Sequence, residues 1–278
     1  MDTFPESSTD SGAAAPAPYA LTLLHRWTLS SNGRPLRVAK PAQRLIALLA
    51  LTGSHEPRYL AGCLWPESRE ARAQANLRST LSRLLAAGTP IVHRRQGLLA
   101  LDEGVAVDTV RLRRAAESVI APEGGIPSDE AVAQLLQAGE LLPGWYDDWV
   151  MTWRERLRQV RVHALEVAAT GLTDAGRYAQ ALEAGLVCVD IEPLRESANR
   201  VVMAVHLREG NVLEAVRQFR RYRELVRDEL GVEPSPEMAR LLPAWADTVG
   251  GDRPTSDGGT VAGQRRSRPS GRQRASPD

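Results

Sequence analysis

The chain has 278 residues, 43% of them hydrophobic, which is enough to bury one large core or two ordinary ones. No stretch approaches the ~20 apolar residues that span a bilayer, and the acidic N-terminus lacks the basic-then-apolar order of a secretory signal. We therefore expect a cytoplasmic protein without membrane contacts. Cys63 and Cys188 are far apart and lie in helical patterns, which favours two buried thiols over a disulfide or a metal site.

The small net charge of +1 conceals a division along the chain. Residues 19–115 hold fifteen Lys and Arg against six Asp and Glu, whereas residues 116–249 hold fourteen against twenty-two. A basic segment joined to an acidic one indicates a polyanionic partner for the first, with a chance imbalance on a solvated surface as the alternative. Residues 1–18 and 248–278 are poor in large apolar side chains, so we expect both to be disordered, the second as a basic tail.

Strand patterns occur at both ends of the basic segment. Residues 19–30 and 34–38 are predicted strands, separated by Asn32-Gly33, a dipeptide typical of a two-residue hairpin turn. Residues 91–101 (IVHRRQGLLAL) predict two more short strands around a turn at Arg95-Gln96-Gly97. The second pair has the position and length of a wing.

Three helices are predicted between these strands. The first starts near Pro41 and ends at Gly53, because proline suits a first helical turn and glycine suits a helix end. The second is short and starts at Pro57. The third spans residues 69–87, with Ser68 as its expected N-cap.

The remainder, from residue 108 to 247, is helical in pattern and contains an internal repeat. Gly176 and Gly210 are 34 positions apart, and Ala181 and Ala215 have the same offset. That period is typical of the tetratricopeptide helix pair. The predicted fold class is therefore mainly α: an N-terminal winged helix-turn-helix (α+β) over residues 19–107, followed by an all-α tetratricopeptide-like domain over residues 108–247.

The third helix has a polar face opposite its apolar one. Arginine, asparagine and serine can all hydrogen-bond to base edges in the major groove, although an ordinary solvated face would also be polar. This face has no acid after Glu70, and the helix is the third in a basic, winged domain. We therefore predict DNA contacts from Arg72, Asn76, Arg78, Ser79 and Arg83.

Further cations lie outside the third helix. Arg94 and Arg95 are at the tip of the predicted wing, where contact with phosphate or the minor groove competes with a solvated turn as the interpretation. Lys40 and Arg44 are at the start of the first helix, where they could contact backbone phosphate. All four are predicted DNA contacts.

Other patterns that could suggest chemistry have simpler explanations. Trp145, Trp149 and Trp153 form a helical stripe that core packing explains better than a ligand box. The adjacent Asp147 and Asp148 are typical of a helix start, where acids interact favourably with the dipole. No nucleophile motif, phosphate loop or metal-ligand spacing is recognisable, so we expect no enzyme, cofactor or metal.

Several runs resemble the SARP family, the actinobacterial antibiotic regulatory proteins, over about residues 19–243. The sequence of the first helix, Lys40-Pro41-x-Gln43-Arg44, resembles the family's OmpR-type DNA-binding domain. Two longer runs are similar to signatures of its bacterial transcriptional activation domain: GWYDDW at 144–149 with RERL at 154–157, and DELGVEPSPE at 228–237.

The resemblance implies an activator, often of secondary-metabolite genes, that binds promoter direct repeats as a homodimer. It also implies contact with RNA polymerase and its sigma factor through the loop that contains Pro66, Glu67, Arg69 and Glu70. The chain lacks the ATPase motif of larger relatives, and Arg227 stands where the second repeat should have its proline. The third helix begins ARAQAN, so no target sequence can be transferred.

Two alternatives remain open at this stage. The chain could be a repeat-protein adaptor whose winged domain no longer binds DNA, which would lack salt-sensitive DNA affinity. It could also be a small-molecule sensor with a ligand on the concave face of the helical domain. The acid-free third helix favours DNA binding over the first alternative.

Overall fold

The computed structural model describes residues 19–121 and 126–243. The two segments predicted to be disordered, residues 1–18 and 248–278, lie outside the described residues. The strands are β1 (Tyr19–Thr22), β2 (Thr28–Ser31), β3 (Arg34–Pro35), β4 (Val92–Arg95), β5 (Leu98–Leu101) and β6 (Val105–Val107). The helices are α1 (Lys40–Thr52), α2 (Pro57–Leu64), α3 (Glu70–Ala86), α4 (Asp108–Ile120), α5 (Asp129–Gln137), α6 (Asp148–Asp174), α7 (Tyr178–Ile191), α8 (Glu196–Glu209), α9 (Val212–Leu230) and α10 (Pro236–Ala239).

The N-terminal sheet corrects the prediction of one strand over residues 19–30. The chain leaves the sheet after Thr22, turns, and returns as β2 antiparallel to β1. The cause is a competing acceptor, because the backbone N–H groups of Leu23 and Leu24 bond to the buried carboxylate of Asp108 at 2.9–3.0 Å. His25 then adopts a positive φ of 65° that a regular strand does not allow.

The Asn32-Gly33 turn is confirmed, and it pairs β2 with β3. The second strand is shorter than the predicted 34–38 and ends at Pro35, although the N–H of Leu36 still donates to the carbonyl oxygen of Leu29 at 2.8 Å. The sequence did not predict β6, which pairs parallel to β1 and completes the strand order β3-β2-β1-β6.

The three helices of the winged domain form as predicted, with one correction at the start of α3. Ser68 is not the N-cap; Arg69 occupies that position and makes no side-chain capping bond. The N–H of Ser68 instead bonds to the carbonyl of Trp65 in the preceding turn. The hairpin β4–β5 is confirmed, and Gln96 and Gly97 both have the positive φ that a tight two-residue turn requires.

The helical half consists of antiparallel helix pairs, α4–α5, α6–α7 and α8–α9, in which α4, α6 and α8 pack in series. Gly176 and Gly210 have positive φ at the ends of the first helices of the last two pairs, and Ala181 and Ala215 are fully buried in the second helices. The repeat is therefore confirmed. Without the proline, α9 continues three residues past Arg227.

The winged domain and the helical half share a hydrophobic core within a compact unit that extends to Leu241. The loop after β1 is hydrogen-bonded to the loop before α6. The backbone N–H of Leu142 donates to the carbonyl oxygen of Leu23 at 2.8 Å, and the backbone N–H of His25 donates to the carbonyl oxygen of Glu140 at 2.9 Å. Gly139 allows this approach, because a Cβ there would lie 2.2 Å from the His25 ring. The two halves are thus joined by backbone as well as side-chain contacts.

Candidate nucleic-acid interface

Helix α3 presents its predicted polar face to solvent, but in a slightly different rotation. The buried line of the helix consists of Ala73, Leu77, Thr80 and Leu84. The most outward line therefore passes between Arg78 and Ser79, and both side chains are exposed. Arg72 and Arg83 are exposed beside them, whereas Asn76 is half-buried at the margin.

The charge of this face is unneutralised. Arg72, Arg78 and Arg83 form no ion pair with any other residue in the ranges 19–121 and 126–243. Alanine and serine lie between them, and such small side chains allow a helix to approach another surface closely. The face can therefore offer guanidinium donors to guanine edges or to phosphates.

The two arginines of the wing have different surroundings. Arg94 is exposed, while Nη1 of Arg95 lies 2.8 Å from Oε1 of Glu103 in an exposed ion pair. Nearby, His93 Nε2 lies 2.7 Å from Asp102, and the Gly104 N–H also bonds to that carboxylate. The Gly104 bond and His93 lower the pKa of Asp102, so the base of the wing holds a stable negative charge.

Lys40 and Arg44 face the helical half of the molecule. Lys40 Nζ lies 3.6 Å from the centroid of the Trp145 ring, and burial lowers the Lys40 pKa. Arg44 pairs with Asp147, and both side chains are only about one-fifth exposed (22% and 20%). Both charged groups have partners inside the chain, so a phosphate would compete with those partners, and the phosphate contacts of Lys40 and Arg44 stay a prediction.

This arrangement also corrects the role expected for Asp147. Asp147 is the residue before α6, but its side chain makes no capping bond and pairs with Arg44 instead. Asp148 lies in the first turn of α6, as expected for an acid near a helix dipole. Trp145 is buried, which confirms core packing for that member of the tryptophan stripe, while Trp149 and Trp153 are half-buried.

Arg154 holds the segment that contacts α1. Its guanidinium donates to the carbonyl oxygens of Leu141 at 3.0 Å, Leu142 at 2.8 Å and Trp145 at 3.1 Å. The GWYDDW and RERL runs therefore act together: the second run supports the backbone from which Trp145 and Asp147 reach the winged domain.

The loop before α3 is largely open to solvent. Pro66, Glu67 and Arg69 are exposed, as a protein-contacting loop requires. Glu70 differs, because its carboxylate accepts from Arg58 at 2.8 Å and from Gln74 at 3.0 Å.

A groove of about 1000 Å³ separates α3 from the β4–β5 hairpin. The side chains of Arg58, Arg78 and Arg94 line it, one each from α2, α3 and β4. Arg58 was not among the DNA contacts predicted from the sequence. Its position in the first turn of α2, the helix before the predicted recognition helix, was the available signal, but the predicted interface was restricted to α1, α3 and the wing.

Residues 19–121 and 126–243 include no group of three or more His, Cys, Asp or Glu side chains placed to hold a metal ion. None of the helices described for the chain is both long and apolar enough to span a bilayer. Cys63 and Cys188 are free thiols, and burial raises the pKa of Cys188 to about 12.

Comparison with known proteins identifies the helical half. Residues 107–244 match the family model of the bacterial transcriptional activator domain. The chain is 30% identical over 224 residues to the regulatory protein AfsR of Streptomyces coelicolor, a match that covers 76% of this chain and 22% of that protein. It is 28% identical over 257 residues to AfsR of Streptomyces griseus, covering 85% and 25%. The chain thus spans a quarter or less of these relatives.

A solved structure extends the comparison to the fold. Mycobacterium tuberculosis EmbR, in a complex with a low-affinity phosphopeptide, superposes with a TM-score of 0.67 at 20% identity. The match covers 84% of this chain and 68% of that one. At this identity the likeness establishes the shared architecture of a small N-terminal sheet region followed by helices.

Proposed function

The chain belongs to the SARP-type transcriptional activators, and on that premise we propose that it binds specific DNA sequences, arranged as direct repeats near promoters. The observation that supports this best is the face of α3, where Arg72, Arg78 and Arg83 are exposed without acidic partners in the described ranges. A helix of this kind in a winged helix-turn-helix fits the major groove.

The proposed contacts divide into two kinds. Arg72, Arg78, Ser79 and Arg83 contact base edges and the adjoining phosphates, with Asn76 contributing from the margin of the face. Arg94 contacts phosphate from the wing, and Arg95 does so if it leaves Glu103. Base contacts determine sequence preference, whereas phosphate contacts determine position and salt dependence.

The activating step is proposed to be recruitment of RNA polymerase and its sigma factor. Pro66, Glu67 and Arg69 immediately precede α3 and are exposed. A loop at this place lies beside the DNA when α3 is bound, where a promoter-bound polymerase could reach it. We propose that two copies of the chain bind adjacent repeats as a homodimer in the cytoplasm, at the nucleoid, and that the regulated genes belong to secondary metabolism or another pathway.

The experiment that tests this proposal is selection of binding sites from random duplex DNA by the purified chain, followed by genome-wide footprinting. Enrichment of a repeated half-site at a constant spacing is the expected result. The Arg72→Ala variant should lose that enrichment, and Arg221→Ala, which removes an exposed arginine from α9, should retain it. If the intact chain enriches no sequence, the protein is better described as a repeat-protein adaptor.

A further inference from the structure

We infer that the groove between α3 and the β4–β5 hairpin binds one sugar–phosphate strand of the duplex, and that Arg58 binds a phosphate of that strand in exchange for its ion pair with Glu70. This inference rests on the proposed function and assigns a role to Arg58 and Glu70 within it. It also identifies which flank of α3 faces the DNA backbone.

The charge around the groove supports a polyanionic occupant. Arg58, Arg78 and Arg94 come from separate elements and line the same groove of about 1000 Å³. Against these three arginines, the lining includes one acidic side chain, that of Glu56 at the N-cap of α2. An array of guanidinium groups around a groove favours a chain of regularly spaced negative charges.

The apolar part of the groove is also suited to a nucleic-acid strand. Leu81, Leu85 and Leu98 line it, and Leu85 is 72% exposed although it lies on a helix of a folded domain. The carbon atoms of deoxyribose sugars offer apolar surface between successive phosphates. A strand in the groove would therefore cover Leu85 while its phosphates meet the arginines.

The placement follows from the geometry of a helix in the major groove. The outward line of α3 faces the base edges, so its flanks face the two phosphate strands that bound the groove. The flank that contains Arg78 and Leu85 lines the groove shared with the hairpin. The phosphate strand on that side lies between the major groove and the minor groove. A wing beside α3 lies next to that strand.

The ion pair with Glu70 already holds the guanidinium group of Arg58 in a geometry that suits a phosphate. Its Nε lies 2.8 Å from Oε1 of Glu70 and its Nη2 lies 3.0 Å from Oε2, a two-bond geometry that a phosphate can reproduce. The two side chains are 74% and 54% exposed, so solvent already weakens the pair. Glu70 keeps its bond from Gln74 when Arg58 turns to the DNA.

The test is fluorescence anisotropy with a duplex selected by the chain and with a random duplex, over a series of salt concentrations. Arg58→Gln should make the slope of log K against log salt less steep by about 0.9, for both duplexes alike. Arg221→Gln on α9 removes the same charge outside the groove and should leave the slope unchanged. Thermal unfolding of each variant verifies that the fold is intact.

Glu70→Gln provides the second arm, because it removes the competitor of the phosphate. It should tighten binding up to about fivefold, the range of an exposed ion pair, and this gain should vanish when Arg58→Gln is also present. Leu85→Gln should weaken binding about threefold if roughly 30 Å² of apolar surface is covered.

Three results would overturn the inference: an unchanged slope for Arg58→Gln, a Glu70→Gln gain that persists without Arg58, or DNA affinity that is indifferent to Leu85→Gln. The last result would point to a protein partner in the groove. If the intact chain shows no preference for any duplex, the proposed function fails instead, and the two failures are distinguishable.

Discussion

Two groups of basic side chains in the winged domain have opposite surroundings. Arg72 and Arg83 on α3 are exposed and have no acidic partner in the described ranges. Lys40 and Arg44 on α1 are engaged by Trp145 and Asp147. The sequence presents both groups as positive charge in one basic segment, but in the structure the second group already has partners in the helical half.

The difference shows that basic charge in a DNA-binding domain can serve the packing of domains. Arg44 and Asp147 are 103 positions apart, and their pair joins α1 to the segment before α6. The pair is therefore part of the contact between the winged domain and the helical half. The GWYDDW run provides the tryptophan and the carboxylate for this contact.

The largest expected effect is on base preference. Arg72→Ala should lower affinity for the selected site by about 1–3 kcal/mol, with a smaller loss on random DNA, because a base contact discriminates between sequences. Competitive anisotropy with selected and random duplexes measures the difference. Equal losses on both duplexes would show that Arg72 contacts only the backbone.

Substitution of Arg44, in the second group, should lower the stability of the fold. Arg44→Ala leaves the partly buried Asp147 carboxylate without its cation, so we expect the free energy of unfolding to fall by about 1–2 kcal/mol. Urea denaturation measures this loss. Asp147→Asn is the matched variant: if the loss comes from the pair, adding Asp147→Asn to Arg44→Ala should produce little further change.

Lys40→Ala should have a smaller effect of the same kind. A cation over a tryptophan ring contributes about 0.5–1 kcal/mol when the cation is exposed to solvent, as the ammonium group of Lys40 is. The free energy of unfolding should fall by this amount while DNA affinity at constant temperature stays the same. A loss of DNA affinity without a loss of stability would instead support the predicted contact between Lys40 and a phosphate.

The smallest expected difference lies within the wing. Arg94→Gln should weaken DNA binding more than Arg95→Gln, because Arg95 already has Glu103 as a partner and gains less from a phosphate. We expect the two affinities to differ by about twofold to fivefold at low salt. Glu103→Gln should reduce that difference, and identical behaviour of the two arginine variants would contradict the structural distinction.

Local signals predicted the helices and the turns. The Asn32-Gly33 turn, the boundaries of α1 and the glycines of the repeat all depend on residues close in sequence. β6 has only three residues, too few for a periodic pattern, and it forms because β1 provides a parallel partner. Such a pairing has no local signature.

The other differences between the sequence predictions and the structure also depend on contacts between remote residues. The strand predicted over residues 19–30 is interrupted by the carboxylate of Asp108, which is 85 positions from Leu23. The pairing of Arg44 with Asp147 has no local signal either, because the two residues are 103 positions apart. Asn76 was predicted on the polar face of α3, and because the polar Thr80 is buried, the centre of that face lies nearer Arg78 and Asn76 lies at its margin.

The salt dependence of DNA binding tests the central distinction most directly. We expect the slope of log K against log salt to become less steep by about 0.9 in Arg83→Gln and to remain unchanged in Arg44→Gln, measured at a temperature where both variants are folded. The opposite pattern, a slope that depends on Arg44 and not on Arg83, would contradict the assignment of α3 to DNA and of α1 to the contact between domains.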